Sequence, residues 1–268
     1  IAFDRIHQIG NQVSAALILL HLLTRDNHAL MVWASERLVR PVHRALAVLN
    51  DHLPFSVAEL LIGLAVIAVL VYIIYTIIKL IRCGGRLKRL YAAVINLLAA
   101  GLAVYAGFCM LWGVYYYGDD FMTRSGLKND NISVEQLETV TEYFAALVNE
   151  YSSQVPRDAD GNYVADRDAI LRRSNEVYAN VEETLPCLSG PAVRAKGVYF
   201  SRVMSYTDFT GFFFPFTAEA NVNTDFPPAL FASTVAHELA HQRGVAKEQE
   251  ANFAAVLASL EYGDAEYC

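Results

Sequence analysis

The residues of this chain best suited to chemistry are two histidines four apart with an acid directly after the first: His237-Glu238-Leu239-Ala240-His241. On a helix, positions four apart project from one face, so both imidazoles reach a single tetrahedral zinc ion. Glu238 stands one step round the helix. That place suits a general base acting on water that a metal activates near neutral pH. Such a string also arises by chance, as two core or surface histidines, so the surrounding sequence has to decide. The chain has seven histidines, and between Gly118 and Cys268 only His237 and His241 occur. Lys247 holds the place six residues on where a third histidine would fall. The third protein ligand is therefore expected to be a carboxylate, and Glu248 and Glu250 both stand near. Whichever is not used is read as a solvated charge at a helix start, favourable to the dipole.

The elements that must hold these groups follow from the local pattern. Pro227 and Pro228 precede ALFASTVAHELAHQRG, and proline in a first turn with Gly244 at the exit predicts a helix of three to four turns. Asn252 to Leu260 continues as a helix, with Phe253, Val256, Leu257 and Leu260 on the face assigned to the core. Upstream, Val193 to Val203 alternates as a strand, and Thr217 to Asn223 as an edge strand. Ser133 with Gln136 forms a capping box for a helix running through LETVTEYFAALVNEYSSQV, read as core scaffolding. Asp168 to Leu185 is expected to be a helix stopped by Pro186. The stretch RDADGNYVADRD lacks the spacing and terminal glutamate of an EF-hand and is read as a solvated turn. An oxyanion donor is also needed, for which Tyr206 and Arg243 are the candidates. His28, His43 and His52 reach the site only if the segment carrying them folds over it.

At 268 residues the chain is 54% hydrophobic and 18% charged, with positive mean hydropathy, too apolar for an ordinary soluble domain. Residues 55–82 and 91–117 are almost wholly apolar and long enough to span a bilayer. Trp112 and Tyr115 to Tyr117 close the second run where aromatic belts sit. Between them residues 83–90, with Lys79 and Arg82 beside, carry Arg86, Lys88 and Arg89 without an acid, which marks a cytoplasmic loop. Asp51 and then Asp119 and Asp120 lie on the other flanks, so residues 118–268 are expected outside the cytoplasmic membrane. The net charge of −7 gives no nucleic-acid footprint. Residues 1–54 hold an apolar stretch, Val13 to Leu23, preceded by Asp4, Arg5 and His7 and lacking signal-peptide features; it could end a further span. The segment from Ala29 to Asn50 is amphipathic and lies either along the bilayer or on the outer domain. Of the four cysteines, Cys83 is read as cytoplasmic and Cys109 as intramembrane; an oxidising exterior permits a Cys187–Cys268 bridge.

The blocks GFFFPFTAEANVN, HELAHQRG and EQEANF, with NDHLPFSVAELL before the first span, resemble a bacterial family of membrane proteins of unknown function, DUF3810, regarded as zincins. The likeness extends over most of Asp51 to Phe253. It implies a mainly α protein: at least two transmembrane helices and an extracytoplasmic zincin-like α+β domain with a small sheet around the HExxH helix. It also implies a zinc peptidase acting on a peptide or protein substrate, with His237, Glu238 and His241 in the zincin roles. The Glu248/Asn252 spacing is similar to that of gluzincins, in which a liganding glutamate is followed four residues on by an acid or amide that fixes a ligand histidine. This picks Glu248 with Asn252 as its partner, and leaves Glu250 as the rival. Glu219, Asn221 and Asn223 fall in the family's PFTxEAxVN block, where Asn221 or Asn223 either binds substrate backbone or satisfies a buried turn. A non-catalytic zinc-binding sensor or assembly protein is the other reading of the same site.

Overall fold

The computed structural model describes residues 2–128 and 132–268, with side chains from residue 9 onward, so Asp4, Arg5 and His7 lie outside the described side chains. In chain order the helices are α1 (Ala2–Thr24), α2 (His28–Ala34), α3 (Arg40–Asp51), α4 (Val57–Arg82), α5 (Arg86–Leu111), α6 (Phe121–Ser125), α7 (Val134–Ser152), α8 (Arg167–Arg173) and α9 (Val181–Thr184). Strand β1 (Lys196–Val198), helix α10 (Ser201–Ser205), strands β2 (Gly211–Phe214) and β3 (Glu219–Asn223), and helices α11 (Pro228–Gln242) and α12 (Glu248–Tyr262) complete the chain. It divides into two compact units, Ile1–Val39 with Val57–Gly118, and Arg40–Ser56 with Asp119–Cys268.

The first unit is helical. Helices α4 and α5 are 26 residues each, about 39 Å at 1.5 Å per residue, and both are long and apolar enough to cross a membrane. Their large side chains, Val66, Ile74, Leu98 and Val104 among them, are exposed, which in water would leave an apolar surface of unusual extent. The turn between them needs a left-handed residue and has Gly85 at φ 74°. Helix α1 packs along α5.

The second unit is built round a three-stranded sheet in the order β1-β3-β2, with β1 parallel and β2 antiparallel to β3. Here several expectations change. Strand β3 is the central strand, not an edge: Asn221 pairs with Lys196 on one side and Phe212 on the other, and all five of its residues are buried. Only Lys196–Val198 of the stretch Val193 to Val203 is strand, because Ser201 turns the chain into α10, donating to the Val198 carbonyl and accepting from Thr224 N. The helix expected over Asp168 to Leu185 is broken into α8, a 3₁₀ turn and α9. Burial of Val177, Tyr178 and Val181 draws this stretch into the core at the expense of helical regularity. Cys187 and Cys268 are both free; Cys268 Sγ is directed to the Ser259 carbonyl.

Helix α11 lies on β2 and β3 and packs along α12. Its own contribution to the core is Phe231, Val235 and Leu239. On α12 the buried apolar residues are Ala251, Ala254, Ala255 and Ala258, while Phe253 and Val256 are exposed. Of the large apolar residues assigned to the core, Leu257 packs against it, but the alanines form most of the inward face, because small side chains let two helix axes approach closely. Helix α7 has the expected capping box, Ser133 Oγ accepting from Gln136 N and the Gln136 amide oxygen from Ser133 N. It is not core scaffolding, since none of its residues is buried. The segment Arg40–Ser56 belongs to this unit: Asn50 donates to the Thr217 carbonyl and Ala47 packs with Val193 and Ala218.

Candidate metal centre

His237 and His241 rise from one face of α11, one turn apart, with ring centroids 4.6 Å apart and planes nearly perpendicular. After Gly244, at φ 79°, the chain needs only three further residues to start α12, which places Glu248 opposite the two rings. Glu248 Oε2 lies 3.1 Å from His237 Nε2 and Oε1 lies 3.6 Å from His241 Nε2. Ligands about 2.0–2.1 Å from a tetrahedral zinc stand about 3.3 Å from one another, so the two separations bracket that spacing. These three residues are so grouped that they could hold a metal ion.

The outward nitrogens are fixed from behind. His237 Nδ1 donates to Asn252 Oδ1 at 2.8 Å, and His241 Nδ1 donates to the Val245 carbonyl at 2.6 Å, tautomers that leave both Nε2 lone pairs aimed at the shared centre. Burial pushes the His241 pKa down, which keeps the ring neutral as a ligand must be.

Glu238 sits beside this group, buried between α11 and β2. Its Oε2 has no hydrogen-bond partner among the described residues. Burial, and then the charge of Glu248, raise its carboxyl pKa well above the usual range. Gly211 makes room for it: a Cβ there would stand 2.7 Å from Glu238 Oε1 and 2.9 Å from the Asn221 carbonyl. An orphaned buried carboxylate oxygen next to a His/His/Glu cluster fits a metal with a water molecule at the open position.

The other sequence-derived candidates lie elsewhere. Glu250 is buried and turned away: its Oε2 accepts from Phe121 N at 3.0 Å and its Oε1 lies 3.8 Å from Lys247 Nζ. Arg243 is buried against Glu182 at 3.2 Å and over the Tyr178 ring at 4.1 Å, committed to the core behind α11. Tyr206 is exposed at the end of α10. Glu219 pairs with Lys196 at 2.8 Å; Asn221 accepts from Ser56 Oγ and donates to the Glu219 carbonyl; Asn223 donates to Ser205 Oγ and the Phe209 carbonyl. All three are buried, and the polar block of β3 spends these hydrogen bonds inside the fold. His43 is buried edge-on to Phe213 of β2. None of these residues lines the cleft of about 600 Å³ that opens beside His237 and Glu248.

The model of a family described as protein of unknown function (DUF3810) matches residues 35–267. The chain belongs to this family. No curated protein and no solved structure matches it. Sequence reasoning missed what completes the centre in this family member, namely the Val245 carbonyl and Gly211. A backbone acceptor leaves no trace in side-chain identity, though the glycine that opens the aromatic run could have marked a close approach.

Proposed function

We propose that the chain is a membrane-anchored zinc-dependent peptidase that hydrolyses peptide bonds outside the cytoplasmic membrane, a zincin of gluzincin type. The observation that carries this reading is Glu238: a site that only held a structural ion would need His237, His241 and Glu248 but not a buried carboxylate with a free oxygen beside them. Zinc in this site would act as a Lewis acid and lower the pKa of water to about 7. His237, His241 and Glu248 would hold it, and Asn252 and the Val245 carbonyl keep the imidazoles in register. Glu238 takes the proton from the attacking water and passes it to the leaving amine, the role its position one step round from His237 allows. The free edge available to an extended substrate belongs to β2, which pairs only with β3 among the described residues and lies against Glu238; added-strand pairing there replaces the role first given to Asn221 and Asn223.

In the zinc-loaded protein Glu238→Gln is expected to keep its metal and lose about 10²–10⁴-fold in peptide hydrolysis. Glu248→Ala is expected to lose zinc, and Glu250→Ala to retain it. Metal content by elemental analysis and cleavage of a mixed peptide library decide the matter: a wild-type protein with full zinc that cleaves nothing, or a Glu248→Ala variant with undiminished affinity, sinks the proposal.

A further inference from the structure

Two helices carry large apolar side chains in patterns that ought to face a core, and neither face does. On α7 the stripe Leu137, Val140, Phe144, Leu147 and Tyr151 follows a three-then-four spacing, yet Leu137 and Val140 of it, and Val148 beside it, are exposed. On α12 the alanines took the inward place and left Val256 exposed and Leu260 only half-buried. These two faces meet across one space. Phe144, Leu147 and Val148 from α7, and Ala255, Val256 and Leu260 from α12, line the cleft of about 600 Å³ that His237, Glu248 and Asn252 border at its other side. Apart from Glu248 and the imidazole of His237, no ionisable group among the described residues but the phenol of Tyr267 and the thiol of Cys268 lines it.

We propose that this cleft is a recognition site for a bulky apolar residue of the substrate, held between α7 and α12 next to the bond that is cut, with α7 as the wall that its binding orders. For its chemistry this rests on the peptidase reading, but binding is separable from it. The volume lies within the range of ligand clefts and exceeds what a small side chain would fill. An acidic residue entering it would be desolvated with no positive charge on either helix wall. An aromatic or leucine side chain instead covers apolar surface that the fold leaves bare on both helices. Helix α7 has no buried residue of its own, so the occupant supplies the packing it lacks.

The test uses the full chain in detergent, zinc-loaded and carrying Glu238→Gln so that nothing is cut. Two blocked alanine pentapeptides are titrated by calorimetry, one with phenylalanine at its centre and one with aspartate, and hydrogen exchange is followed over residues 134–152. The phenylalanine peptide is expected to bind about tenfold more tightly or better and to slow exchange in α7. Val148→Glu, and separately Val256→Glu, should bring the ratio near one with zinc content unchanged. Both positions are exposed, so neither change threatens folding. Equal binding of the two peptides, protection that spares α7, or an unchanged ratio in both variants overturns the proposal. If wild type cleaves neither peptide but the preference and the α7 protection hold, the subsite stands and the peptidase reading falls. If wild type cleaves both equally well, the subsite falls and the peptidase stands.

Discussion

Glu248 and Glu250 are two residues apart and differ in everything that decides a ligand. The first presents both oxygens to the imidazoles with its side chain largely open to solvent. The second spends its oxygens on Phe121 N and Lys247. Spacing to Asn252 was enough to favour Glu248 from sequence; what excludes Glu250 is a contact 129 residues back along the chain, which no local pattern encodes. Lys247 belongs to the same knot, its ammonium 2.6 Å from Asp120 Oδ2. The knot ties the start of α6 to the start of α12 and so sets the residue from which Glu248 projects. The hydrogen bond from Lys247 and those from Thr123 hold the Asp120 carboxyl down to about 2, against 3.8 without them. Its folded pKa is thus depressed, so its contribution to stability is complete above pH 3.8 and is lost as the pH falls toward 2. In metal-free protein, thermal melts between pH 5 and pH 2, as about the usable acid range, should show a steeper fall for wild type than for Asp120→Asn. Parallel curves would mean that the pair does not hold α12 in place.

At the scale of the element, α11 and its capping glycine were legible because proline, periodic apolar residues and Gly244 all point to one helix. The sheet was less so. Alternation in Thr217 to Asn223 marks a strand but cannot separate centre from edge, and here the outward positions are asparagines satisfied inside the fold by Ser56, Ser205 and backbone carbonyls. Periodicity misled most on α7 and α12, where large apolar residues were assigned to the core. The core face of α12 is chosen by closeness to α11, and alanine wins there over phenylalanine and valine, with Leu257 alone of the four large residues packed against the core. Ala254 is fully buried at this contact. Ala254→Leu should therefore destabilise by about 1–3 kcal/mol through overpacking, and by prising α12 from α11 should also weaken metal retention, because His237 and Glu248 stand on opposite sides of the seam. Melting with and without chelator measures both effects. An intact melting point in the variant would show that the helices do not depend on close approach. Gly211 sets the matching constraint on the other flank of α11, where β2 has to pass Glu238 without a side chain between them.

For the whole molecule, hydropathy pointed to two apolar runs long enough to cross a membrane, and α4 and α5 are helices of that length and composition, whereas Arg40–Ser56, which the sequence grouped with the N-terminal helices, belongs to the second unit. Charge predicts an orientation. Lys79, Arg82, Arg86, Lys88 and Arg89 crowd the ends of α4 and α5 where they join, whereas the other end of α5 leads into Asp119 and Asp120. Lysine and arginine resist translocation and acids contribute little, so the turn around Cys83 should stay in the cytoplasm and the second unit should emerge on the far side. Cysteine labelling in intact cells reads this directly. With Cys109→Ala, Cys187→Ser and Cys268→Ser in place, Cys83 is the sole thiol and should react with a membrane-impermeant maleimide only after permeabilisation. In the same background with Cys83→Ser, Tyr199→Cys places a thiol at a position 87% exposed in the second unit, and it should react without permeabilisation. The reverse pattern would put the His237/His241/Glu248 cluster in the cytoplasm and confine any peptidase activity to cytoplasmic substrates. Reaction of both thiols in intact cells would mean that the basic turn does not set the orientation at all.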